Sequence, residues 1–215
     1  WVGGTDDHEV VLHSTVAGSG AVIIGRHDAL LSSMALDATG QRLVSVSSDA
    51  ILKIWDVRAK RLIREVRGGE TAILGAILSP DGQHVLVWSE DKTVVLIDVN
   101  SGQKVGSFDG HAARIDKVSF ASHGRLILVV SNDGSASVLD GQSLQVIVGV
   151  QLPQASVVHG KFSGDGRNLI VIADDGSLYI WDLQRRALSR SISLAHFTFV
   201  DAVLNSDSSL LAAVT

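Results

Sequence analysis

Short runs of alternating apolar and polar residues, broken by compact turns, fill the chain. Leu31 to Leu36 is a short apolar stretch that ends at Asp37-Ala38-Thr39-Gly40. Arg42 to Ser47 then alternates up to a second turn at Ser48-Asp49. Ile51 to Trp55 alternates again, and Arg61 to Val66 makes a fourth stretch. A two-residue period in runs of this length predicts β-strands, and no segment carries a convincing helical period. Ser79-Pro80-Asp81-Gly82 and Ser163-Gly164-Asp165-Gly166 repeat the first turn, with Gly where the backbone must take a positive φ.

The pattern repeats without drift. Gly40, Gly82, Gly124 and Gly166 stand 42 residues apart, with Ser208 in the next place. Asp49, Asp91, Asp133 and Asp175 keep the same step, and so do Trp55-Asp56, Ile97-Asp98, Leu139-Asp140 and Trp181-Asp182. Three independent markers on one period define a repeat array, and no linker-like stretch divides it.

Repeats of about 40–45 residues with four strands and a Trp-Asp ending are the signature of WD40 propeller blades. The chain resembles that family over its whole length. The resemblance implies an all-β fold of four-stranded antiparallel blades, as part of a seven-bladed ring or a tandem-propeller array. Residues 27–68, 69–110, 111–152 and 153–194 are expected to be full blades, with partial blades at 1–26 and 195–215. In phase, Trp1 matches Leu43 and Thr215 matches Ser47, so the chain is expected to be an excerpt of a longer protein.

In this family a His, a Ser or Thr, the turn Asp and the strand-three Trp form a buried hydrogen-bond network. Those places fall on His27, Ser45, Asp49 and Trp55. The second unit has Gly69, Val87 and Ile97 there and keeps only Asp91. The third keeps His111 and Asp133 but has Val129 and Leu139. The fourth keeps Asp175 and Trp181 but has Pro153 and Val171. Each loss puts an apolar residue in place of a polar one, which should avoid a half-satisfied buried network. The turn Asp survives because its carboxylate can accept backbone N–H bonds unaided. On this reading Asp49→Ala should cost roughly 2–4 kcal/mol and Asp133→Ala less.

Composition removes several function classes. Hydrophobic residues are 46% of the 215, with 21 Gly and no Cys, so the chain can bury a core but holds no disulfide or thiolate site. A net charge of −5 argues against sequence-independent nucleic-acid binding, and no apolar run reaches the length of a membrane span. The eight histidines show no ligand spacing, so no metal is expected, and no cofactor. No P-loop, nucleophile elbow or dinucleotide fingerprint is present, so neither enzyme activity nor a small-molecule substrate is expected.

Candidate recognition residues lie on the loops leading into each first strand and just before the turn Asp. They are Glu70, Glu90, Arg114, Asn132, Asp174, His196 and Phe197. A basic cluster of Arg58, Lys60, Arg61, Arg64 and Arg67 occupies a fourth strand and its approach, echoed by Arg185, Arg186 and Arg190. It reads as a charged edge that resists sheet-to-sheet pairing, or as a docking patch for an acidic partner. Trp55-Asp56-Val57-Arg58 is similar to the box that joins some propellers to cullin-RING ubiquitin ligases. The functional expectation is a non-enzymatic scaffold for protein partners in a larger assembly, such as the ciliary or centriolar cytoskeleton. The alternatives are a ligase adaptor and a propeller enzyme or cofactor binder. An intracellular, cytoplasmic or cytoskeletal location is expected, with the nucleus also open.

Overall fold

A computed structural model of the chain describes residues 2–5, 7–13, 20–152, 155–193, 201–205 and 211–214. The chain forms two compact units, Trp1–Asp109 and Gly110–Thr215. Every regular element among the described residues is a strand. Among the described residues no helix is long and apolar enough to cross a membrane.

The first unit contains three sheets. One joins β1 (Val2–Gly4), β2 (Glu9–His13) and β3 (Ala21–Arg26). The next runs in chain order through β4 (Leu31–Leu36), β5 (Arg42–Ser47), β6 (Ile51–Asp56) and β7 (Arg61–Arg67). The third runs through β8 (Ile73–Leu78), β9 (His84–Ser89), β10 (Val94–Asp98) and β11 (Lys104–Phe108). The second unit repeats the four-strand plan twice. Its first sheet is β12 (Ile115–Phe120), β13 (Leu126–Ser131), β14 (Ala136–Asp140) and β15 (Val146–Val150). Its second is β16 (Val157–Phe162), β17 (Asn168–Ala173), β18 (Leu178–Asp182) and β19 (Ala187–Ile192), followed by the pair β20 (Asp201–Leu204) and β21 (Leu211–Val214). All pairings are antiparallel meander steps, so each tight turn sets the register of the next strand.

The step of 42 extends to backbone irregularities. The first-to-second strand register slips at Leu31/Ser33, Ile73/Gly75, Ile115/Lys117 and Val157/His159. The third-to-fourth register slips at Ile54/Trp55, Leu96/Ile97, Val138/Leu139 and Ile180/Trp181. A bulge adds local twist and re-aims the residues beyond it. Turn Gly40, Gly82, Gly124 and Gly166 all lie at φ +67 to +69°. After the turn Asp, Ala50, Lys92, Gly134 and Gly176 are also left-handed. Only half of these positions use Gly, so the turn geometry there is imposed by its hydrogen bonds at a cost of about 1–2 kcal/mol per non-Gly residue.

Stacking buries both faces of the middle strands. On β5, Leu43 joins Val10 and Trp55 on one side, while Val44 and Val46 pack with Ile73, Val85 and Val87 on the other. The apparent polar face of β5 is not a solvent face, because Ser45 and Ser47 are fully buried. In the second unit Leu128, Val130 and Val138 pack with Leu169 and Val171, and Ile170, Ile172 and Leu178 pack with Ala202. Fully burying one such side chain is worth about 1.5–3 kcal/mol. The fourth strands differ: β7 and β19 are edge strands whose residues are largely exposed.

Candidate functional site

The most polar buried feature lies in the first unit. His27 is 2% exposed, held between two serines of β5, with Nε2 2.7 Å from Ser45 Oγ and Nδ1 2.7 Å from Ser47 Oγ. Trp55 Nε1 donates to Ser45 Oγ at 2.8 Å, and Ser47 Oγ donates to Asp49 Oδ1 at 2.5 Å. These partners assign every proton. Ser47 gives its hydrogen to the carboxylate, so its oxygen accepts from His27 Nδ1–H, and His27 Nε2 then accepts from Ser45. The result is a directed chain from Trp55 through Ser45, His27 and Ser47 to Asp49. Its imidazole is neutral. Burial first, then the charge of Lys53, push the His27 pKa down to about 4. The β6 Lys53 ammonium also donates to Arg26 O at 2.9 Å and pairs with Glu65 at 3.3 Å. Beside them, Gly25 lets the Trp55 ring approach closely, since a Cβ there would sit 2.3 Å from Cη2.

The structure thus brings His27, Ser45 and Trp55 into direct contact but reaches Asp49 only through Ser47. Sequence reasoning did not include Ser47, although it alternates with Ser45 on the same strand face. In the third repeat the wiring is different. His111 Nδ1 lies 3.2 Å from Asp133 Oδ2 and 3.1 Å from Ser135 Oγ. Asp133 also accepts from Ala112 N at 2.9 Å, Ser135 N at 2.9 Å and Ser135 Oγ at 2.6 Å. Burial acts to raise the Asp133 carboxyl, but the Ser135 hydroxyl, the backbone N–H groups and His111 hold it well below the ordinary range. Among the described residues Asp49 accepts from Ser47 Oγ and, at 3.4 Å, from Ile51 N. Burial also acts to raise Asp49, but the Ser47 hydroxyl, the Ile51 and Asp49 backbone N–H groups and His27 leave it lowered. Among the described residues Asp133 therefore has more hydrogen-bond partners than Asp49, where the repeat pattern predicts fewer.

The expectation of clean apolar replacement also needs correction. In the second repeat Asp91 accepts from Thr93 N at 3.0 Å and Thr93 Oγ1 at 2.6 Å. Ser89 Oγ is buried there with no partner among the described residues, because Gly69 stands where an imidazole would reach it. In the fourth repeat Asp175 accepts from Ser177 N at 2.8 Å, and Trp181 Nε1 is buried without a partner among the described residues. Val171, in the place of Ser45, offers no acceptor. Pro153 lies outside the described residues. These two networks are half-satisfied.

The candidate recognition residues are held by a repeated backbone contact. Within the first unit Ser48 N donates to Leu30 O and Glu90 N to Ala72 O. Within the second, Asn132 N donates to Arg114 O and Asp174 N to Ser156 O. Each bond ties the turn before the Asp to the loop before a first strand. Glu70, Glu90, Arg114, Asn132 and Asp174 are exposed, although Asp174 Oδ1 also accepts from Ser156 N at 2.8 Å. His196 and Phe197 lie outside the described residues.

The basic cluster divides in two. Arg64 Nη2 donates to Asn100 O at 2.7 Å, and its stem packs on Gly102, where a Cβ would lie 2.5 Å from Cδ. Arg42 reaches Gly82 O at 2.9 Å from the same side, so these arginines join the two four-stranded sheets of the first unit. Arg58, Lys60, Arg61 and Arg67 remain exposed. Asp56 Oδ1 accepts from Ala59 N at 2.8 Å, which closes the turn that presents Arg58. Among the described residues no group of three or more His, Asp or Glu side chains could hold a metal ion.

Two segments of the chain, residues 21–56 and 102–140, match the family model of the WD domain, G-beta repeat. They include the Trp55 network and the β13–β14 hairpin with Asp133. No curated protein matches the chain.

Proposed function

We propose that this chain, which carries WD40 repeats, is a non-enzymatic scaffold that holds other proteins in a larger assembly. WD40 repeats are a protein-interaction kind of domain, and such proteins are generally not enzymes. The observation that carries the reading is the repeated backbone tie between turn and loop. It gives each repeat the same rigid frame, while the exposed side chain beside it changes from Glu90 to Asn132 to Asp174. A rigid frame with varied exposed groups suits recognition of protein surfaces, because side chains fixed in advance lose little entropy on binding. A cytoplasmic or cytoskeletal assembly, ciliary or centriolar among them, is the setting this reading proposes. The test is affinity purification of the full chain from cells, comparing wild type with Glu70→Lys/Glu90→Lys and with Arg114→Glu. The scaffold reading expects stoichiometric partners that at least one reversal releases. Recovery of the chain alone would sink it.

The exposed Arg58 at the end of Trp55-Asp56-Val57-Arg58 supports a second reading, an adaptor of a cullin-RING ubiquitin ligase. That reading expects a cullin-linked adaptor among the purified partners and its loss in Arg58→Ala.

A further inference from the structure

The fourth repeat ends on a segment that the scaffold reading leaves unused. Its outer strand β19 is an edge strand, exposed from Ala187 to Ser191. Each fourth strand skips one residue where its register slips, and these residues are Ile63, Val105, Ile147 and Ser189. They share the 42-residue step. The first three are aliphatic, and Ser189 alone brings a hydroxyl to this place. A residue skipped at a bulge has no cross-strand partner in the ladder.

Arginines flank the hydroxyl. Arg186 stands three residues before Ser189 and Arg185 four, Arg190 follows it, and all three are exposed. Asp182 Oδ1 accepts from Gln184 N and Arg185 N at 2.9 Å each, which fixes the turn that carries the first two arginines. Asp182 Oδ2 also lies 3.6 Å from Arg185 Nε, but that side chain is 84% exposed, and so open a pair holds it loosely. Arg186 is left-handed at φ 52°, as Lys60, Gly102 and Leu144 are at the same place in the other repeats. The first repeat has the cation Lys60 but Ile63 three residues later, and the second and third have neither cation nor hydroxyl there. The fourth repeat joins the two.

We propose that Ser189 is a phosphorylation site for a basophilic serine kinase, one whose acidic cleft reads an arginine three residues before the acceptor. The inference stands apart from the scaffold reading. A kinase takes its acceptor in an extended segment, and an exposed edge strand is extended already. The register slip at Ser189 reduces the strand pairing that must be released around it. Arg185 and Arg186 offer the cleft two planar guanidinium forks, which suit bidentate pairing with carboxylates. In the transfer, Ser189 Oγ attacks the γ-phosphorus of ATP held by the kinase. The Oγ–P bond forms as the bond from that phosphorus to the bridging oxygen of the β-phosphate breaks, ADP leaves, and the hydroxyl proton passes to the catalytic carboxylate of the kinase. The product sets a charge of about −1.5 to −2 among Arg185, Arg186 and Arg190 and cancels most of that basic edge.

The test is incubation of the full chain with Mg-ATP and activated calcium/calmodulin-dependent protein kinase II, which reads an arginine at that spacing, followed by mass spectrometry of the digested chain. A synthetic peptide of residues 183–192 is the unfolded reference. One phosphoryl group is expected on Ser189 in both, and none at that place in Ser189→Ala. Arg186→Gly slows the labelling about tenfold or more, while Arg58→Glu/Arg61→Glu, on β7 and its approach, leaves it within about twofold. Glycine suits the left-handed backbone, as Gly102 shows at the equivalent place, so Arg186→Gly keeps the fold, and an unfolding curve checks that it does. The proposal is overturned if neither is labelled, or if the peptide is labelled and the folded chain is not. It is also overturned if Arg186→Gly is labelled at the wild-type rate. Phosphate on Ser191, or on Ser193 with Arg190 three residues before it, in place of Ser189 overturns it too.

Discussion

His27 and His111 occupy equivalent places two repeats apart, yet they are wired in opposite styles. His27 is reached by hydroxyls on both sides, and its aspartate lies one serine away. His111 meets Asp133 directly, with Ser135 completing the contact. The cause is local. The first repeat has Ser45 and Ser47 on one buried strand face, while the third has Val129 in the Ser45 place and Ser135 in the place of Ile51. Moving one hydroxyl by a few residues changes which group the imidazole faces. Equivalent positions in a repeat therefore share a backbone and do not share an electrostatic role.

The largest expected effect comes from acid acting on the first network. The folded His27 pKa is about 4, below its ordinary 6.5, so between these values the unfolded chain takes up a proton that the folded chain refuses. Stability is complete above about pH 6.5 and falls as the pH drops toward 4, by on the order of 3 kcal/mol for a shift of this size. Below pH 4 the lowered carboxyls of Asp49 and Asp133 add a second loss. Urea unfolding between pH 7 and 4.5 should show the first loss in wild type and a flatter profile in His27→Gln. Equal slopes would mean that the buried imidazole is not what titrates.

A smaller difference separates the two aspartates. Asp133→Ala removes the carboxylate that accepts from Ala112 N, Ser135 N and Ser135 Oγ, so it should cost about 2–3 kcal/mol, against about 1–2 for Asp49→Ala. Unfolding midpoints of the two variants at pH 7.5 decide the order. A larger loss at Asp49 would restore the expectation drawn from motif completeness and break the comparison.

The smallest effect sharpens it. Trp55→Phe removes a satisfied donor and should cost about 1–2 kcal/mol, whereas Trp181→Phe removes a buried N–H that has no partner among the described residues. Trp181→Phe should fall within about 0.5 kcal/mol of wild type or stabilise the chain. Similar costs at both sites would show that Trp181 Nε1 does find an acceptor.

Much of the fold was legible because its signals are local. The strand runs Leu31–Leu36 and Arg42–Ser47, the turn glycines and the turn aspartates each act over a few residues, and all recur at one period. Ser47 and Ser135 were missed because a hydroxyl's partner depends on where a loop ten or more residues away returns. Arg64 read as part of a surface charge cluster, and only the packing of two sheets shows it holding Asn100 O. The hollow lined by Lys117, His159 and Lys161 has no motif, since it draws on two strands one repeat apart. The left-handed backbone at Ala50 and Lys92 was equally hidden, because neither residue is Gly.

Sequence by itself determined the repeat, its period, its strands and its turns, because alternation and turn chemistry are written within single repeats. Tertiary structure decided which polar groups are satisfied, which face of β5 is buried and which cations converge. Those outcomes depend on the neighbouring sheet, which supplies or withholds a partner at distances of about 3 Å.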